Sequence, residues 1–279
     1  MNQLPKVQIS PRYVNAPRGR RYQLALCGGQ PLVGRILFVH AFAEEMNKSR
    51  RMVAVTARRL AEVGFEVYLP DLYGCGDSEG DFGEAAWDDW VNETASSLEE
   101  LSGGDSPVWV WAMRAGALIG VQAILRSGLK PQILLWQPVL SGDQHLQHFI
   151  RLGYASSMLR AEGGITAAEL RSKLQRGEHA EIAGYRLGAE LARGLIGARL
   201  ALPSEYDARV IWLEASLSAP PALMPASIAR IHEWQAAGTA VVSKACHGPP
   251  FWLTQETTEC PALLQATVDS LLNATPLST

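Results

Sequence analysis

The chain has only four cysteines, Cys27, Cys75, Cys246 and Cys260, in 279 residues. None forms a C-x-x-C pair, which excludes a zinc ribbon or a dithiol redox motif. Scattered in this way, they read as reduced thiols and not as a disulfide framework. An excess of basic charge is also missing: 25 Lys and Arg stand against 28 Asp and Glu, a formal net charge of -3. Such a chain carries no field to hold nucleic acid or an anionic membrane, so neither is an expected partner. No apolar run approaches the roughly 20 residues a spanning helix needs. The start, Met1 to Tyr13, lacks the basic-then-apolar order of a secretory signal. The expected compartment is therefore the cytoplasm.

What is present is a well-filled globule, 47% hydrophobic and 19% charged. The length suits one large α/β domain with an insertion. Short apolar runs predict strands at 35–39, 65–70, 107–111, 132–137, 209–214 and 239–244. Helical spacing predicts helices at 48–63, 87–101, 115–126, 225–237 and 261–272. Two early segments, at 7–9 and 22–27, fit an antiparallel hairpin at a sheet edge. From Leu140 to Leu202 no strand pattern appears. That stretch reads as helical, broken at Gly163-Gly164 and Gly177, with Thr166 as an N-cap. Alternating strands and helices predict a mostly parallel sheet with helices on both faces. The expected organisation is a core at 1–139 and 204–279 with a helical lid at 140–203.

In such a sheet, ligands sit beyond the carboxyl ends of the strands. Four loops lie there: His40-Ala41-Phe42-Ala43-Glu44-Glu45, Asp71-Leu72-Tyr73-Gly74-Cys75-Gly76-Asp77-Ser78, Ala112-Met113-Arg114-Ala115-Gly116, and Cys246-His247-Gly248. Together they resemble the α/β-hydrolase superfamily over nearly the whole chain. The resemblance implies an oxyanion hole built by the His40 loop, a general base at His247, and an acid near Glu214. It implies no cofactor and no metal.

More narrowly, the chain resembles the exosortase A system-associated hydrolase 2 group. That match is carried by Phe42 to Met52, by Gly74 to Ser78, by Trp136-Gln137-Pro138, and by Gly248-Pro249-Pro250-Phe251-Trp252. It implies a bacterial exopolysaccharide and protein-sorting setting, an ester-type hydrolase by class, and an elbow without the usual serine.

The superfamily's elbow is G-x-S-x-G, a strained strand-to-helix turn that lifts a serine into the site. Here small residues still flank the turn, but Arg114 stands at the nucleophile position. A guanidinium keeps its charge and cannot attack a carbonyl. At a helix N-terminus it would suit an anion. It would equally suit an internal salt bridge to Glu44 or Glu45. The candidate catalytic residues are therefore His247, Glu214 and Arg114. The candidate binding residues are His40, Phe42, Glu44, Glu45, Met113, Arg114, Ala115 and Asp77. Cys75, Cys246 and Ser78 are alternative nucleophiles, against the commoner reading of buried, inert side chains. Three functions stay open: an ester-type hydrolase, a non-catalytic protein binding a small acidic molecule or glycan, and a scaffold partner.

Overall fold

A computed structural model describes residues 6–28, 31–159, 166–203 and 205–274. Strands β1 (Gln8–Ala16) and β2 (Gly19–Cys27) form the expected hairpin, longer than its apolar residues alone suggest. Then come β3 (Gly34–Val39), α1 (Glu44–Glu62), β4 (Phe65–Pro70), α2 (Trp87–Leu101), β5 (Val108–Met113), α3 (Gly116–Ser127) and β6 (Gln132–Trp136). After β6 the chain forms α4 (Gly142–Leu159), α5 (Ala167–Gln175), the short strands β7 (Ala180–Ile182) and β8 (Tyr185–Leu187), and α6 (Ala189–Gly197). It closes with β9 (Val210–Ser216), α7 (Pro225–Ala236), β10 (Val241–His247) and α8 (Pro261–Ala274).

Eight strands make one sheet in the order β1-β2-β4-β3-β5-β6-β9-β10. The hairpin is antiparallel, and β4, β3, β5, β6, β9 and β10 run parallel. Each parallel strand sends alternate side chains to opposite faces. In β5, Trp109, Trp111 and Met113 join the cluster under α1 and α8, while Val110 and Ala112 join the cluster under α2, α3 and α7. Burial on both faces explains why the central strands β5 and β6 read as continuous apolar runs. Among the described residues, no helix is long and apolar enough to cross a membrane.

Three features differ from the sequence expectation. Helix α1 begins at Glu44, four residues before the predicted start, because Glu44 and Glu45 complement the helix dipole in its first turn without any apolar signal. The segment between β6 and β9 is not wholly helical. The antiparallel pair β7–β8 turns through Ala183 and Gly184, both at positive φ (51° and 82°), as a tight hairpin requires. Strands of three residues are too short to show alternation. The third difference is β10, which runs on to His247, paired with Ser216 of β9. Thr166 does cap α5, in a reciprocal capping box with Glu169. The predicted break at Gly163-Gly164 lies outside the described residues.

Candidate functional site

The turn from β5 to α3 keeps the backbone of a nucleophile elbow. Arg114 has φ 55°, a left-handed conformation costing a non-glycine residue about 1–2 kcal/mol. Three main-chain bonds hold it there. Its N–H donates to the Trp136 carbonyl (3.0 Å), and its carbonyl accepts the amides of Ala117 and Val139 (3.1 Å each). Gly116 is required by close approach: a Cβ there would lie 2.4 Å from the carbonyl oxygens of Val39 and His40. Met113 and Ala115 are fully buried, on opposite faces of the turn, and act as packing around it.

The Arg114 side chain turns to α1. Its Nε donates to both Glu45 oxygens (3.2 Å each) and its NH2 group to Glu45 Oε1 (3.0 Å). Its NH1 group donates to the Gln137 carbonyl (3.1 Å). The guanidinium also lies 5.3 Å from the centre of the Trp252 ring, a cation–π distance. Both charged side chains are largely buried, 16% exposed for Arg114 and 11% for Glu45. Across Glu45 stands His145 of α4, with Nε2 at 3.9 Å. Burial pushes the His145 imidazole down to about 4, so it is neutral at pH 7 and that contact is not an ion pair.

Of the two candidate carboxylates, only Glu45 meets Arg114. Glu44 points to the surface, where it accepts from the Tyr185 hydroxyl (3.3 Å) and pairs with Lys48 (3.8 Å). His40 is a satisfied core histidine. Its Nδ1 donates to the Ala41 carbonyl (2.8 Å), its Nε2 accepts from the Leu72 amide (3.4 Å), and burial lowers its pKa. Phe42 packs against Phe82, Trp90, His145 and Phe149, joining the core to α4. Asp77 is exposed, and its amide donates to Asp71 (3.0 Å).

At the other end of the site, Glu214 is 2% exposed and fully engaged. It accepts from Trp212 Nε1 and from the Met224 amide (2.8 Å each). His247 ends β10 with its ring exposed, and it makes no side-chain hydrogen bond among the described residues. The two are not brought together. The alternative nucleophiles are also spent. Burial pushes the Cys75 thiol far up and that of Cys246 to about 11. Ser78 donates to the Asp71 carbonyl and accepts from the Tyr22 amide. Among the described residues, none of Cys75, Cys246 and Ser78 is hydrogen-bonded to a histidine or carboxylate side chain.

With this geometry, the comparisons with known proteins are informative. Residues 30–172 match the family Hydrolase_4, described as serine aminopeptidase, S33. The chain belongs to that family. No curated protein sequence matches it. Among solved structures it is similar to Est1E from Butyrivibrio proteoclasticus with bound ferulic acid, at 13% identity and TM-score 0.66, covering 94% of this chain and 98% of that one. It is also similar to a soluble variant of monoglyceride lipase from Saccharomyces cerevisiae in complex with a substrate analogue. There the identity is 14% and the TM-score 0.63, with 99% and 98% covered. At these identities the likeness establishes the α/β-hydrolase fold.

Within this Hydrolase_4 member, sequence reasoning missed two residues that build the elbow's surroundings. Gln137 sits just after β6 at φ 42°, a second strained turn. Its amide N–H donates to Leu213, its side-chain oxygen accepts from Ala215, and its carbonyl takes Arg114. The Trp136-Gln137-Pro138 run was the available signal. His145 lies 100 positions from Glu45 in number, and no local pattern could pair them.

Proposed function

We propose that this Hydrolase_4 protein is a non-hydrolytic binding protein of the α/β-hydrolase fold, holding a small acidic molecule or acidic glycan unit at its elbow. One observation carries the reading: a fixed cation occupies the strained nucleophile position and is already held by a carboxylate, Glu45. Glu45 is the carboxylate that an acidic occupant would have to displace. A ligand carboxylate can take its place on a guanidinium that sits at the N-terminus of α3, where the helix dipole also favours negative charge. The runs shared with the exosortase-associated group support placing this role in bacterial exopolysaccharide assembly.

The test is direct. Wild-type protein should neither turn over short-chain nitrophenyl esters nor label with a fluorophosphonate probe, and calorimetry should find that it binds small carboxylates and that Arg114→Ser does not. Fluorophosphonate labelling of the wild type would defeat the proposal.

A second reading, hydrolysis of an ester-type bond with His247 as base, is supported by family membership and by the position of His247 at the end of β10. It expects wild-type ester turnover that His247→Ala abolishes.

A further inference from the structure

A cavity of about 160 Å³ lies between α1 and strands β2, β3 and β4, separate from the elbow: neither Arg114 nor Glu45 lines it. Its inner wall is apolar, made by Leu24, Phe38, Val53 and Leu69 among others. Two of the polar groups on its wall, Ser49 and His40, are already bonded. Ser49 donates to the Met46 carbonyl (3.0 Å), and both ring nitrogens of His40 are engaged. These two ask nothing of an occupant, and most of the inner wall offers it apolar contact. A dry apolar cavity of about 150 Å³ is large enough to take benzene.

The rim is different. Arg50, with its side chain 46% exposed, reaches Asp71, only 9% exposed, through one contact of 3.3 Å. Asp71 Oδ2 takes the Asp77 amide (3.0 Å). Each carboxylate oxygen keeps lone-pair capacity, and Arg50 keeps unused N–H donors. One donor set and one acceptor set side by side match a hydroxyl, which gives and takes a hydrogen bond. A carboxylate head would be repelled by Asp71 and Asp77, and an ammonium head by Arg50.

We propose that this cavity is a second small-molecule site for a compact apolar alcohol or phenol, its apolar body between α1 and the sheet and its hydroxyl on the Arg50–Asp71 pair.

The experiment compares p-cresol, toluene, benzoate and benzylamine on the intact protein, by thermal shift and by ligand-observed NMR. At about ten times its Kd, p-cresol should raise Tm by about 2–4 °C. Toluene should bind several-fold more weakly, and the two charged analogues should not bind. Two variants locate the site. Val53→Phe fills the interior, and Ala54→Phe, at an exposed rim position, blocks entry without disturbing the core. Ala54→Phe should keep the wild-type Tm and lose the p-cresol response, which holds the test open if Val53→Phe fails to fold. No binding of any neutral probe, benzoate binding as tight as p-cresol, or unchanged p-cresol binding in Ala54→Phe would each overturn the assignment.

Discussion

At the β5–α3 turn the backbone of a nucleophile elbow is intact and the side chain is not a nucleophile. At the ends of β9 and β10 the expected side chains, Glu214 and His247, are both present and do not meet. The difference shows that elbow shape and catalytic chemistry are held by separate interactions. The shape of the turn rests on main-chain bonds to Trp136, Ala117 and Val139 and on the absence of a Cβ at Gly116, none of which needs serine. The relay at the other end depends on a single carboxylate orientation, and Trp212 and Met224 have taken it.

The largest test of this contrast is Glu45→Ala. It strands a largely buried guanidinium, which should cost about 3–5 kcal/mol in urea unfolding. An effect under about 1 kcal/mol would mean that Arg114 reaches water and is not locked by Glu45.

The next concerns His145, the residue of α4 facing the same carboxylate. Its folded pKa of about 4 lies below the ordinary value near 6.5. The unfolded chain takes up the proton first as pH falls. The stability from keeping this ring neutral is therefore full above about pH 6.5 and is lost towards pH 4, by about 3 kcal/mol. Unfolding curves at pH 7 and pH 4.5 should converge for His145→Gln relative to the wild type. An equally steep acid limb in the variant would rule this origin out.

Glu214→Ala should cost about 2 kcal/mol, because it leaves the Trp212 indole and the Met224 amide without acceptors. The NMR signals of the His247 ring should stay where they are. Their displacement would restore a Glu214–His247 relay. The smallest effect belongs to Glu44→Ala, within about 0.5 kcal/mol by chemical denaturation, since Glu44 itself is exposed. A loss matching that of Glu45→Ala would show that both carboxylates hold the cation.

Much of the fold was legible in the residues themselves. The predicted limits of β4 and α2 coincide with the observed ones, since a short apolar run ended by Pro70 and a helical spacing of buried residues mark them. The hairpin β7–β8 was not legible, because three residues per strand leave no period to read. At the site, the sequence placed a cation at the elbow and a carboxylate pair on the neighbouring loop. It left Glu44 and Glu45 equivalent, since both lie in the first turn of one helix.

By itself the sequence determined an alternating α/β chain with a mostly parallel sheet and Arg114 just after its third parallel strand, because apolar runs and turn residues are local properties of the chain; the α/β-hydrolase fold was what the resemblance of its loops implied. Only the tertiary structure decided that Glu45 holds Arg114, that His145 faces that pair, and that Glu214 turns away from His247. Each of these depends on which side chains from distant segments share one desolvated volume, and there a buried charge or donor must find its partner through space and not along the chain.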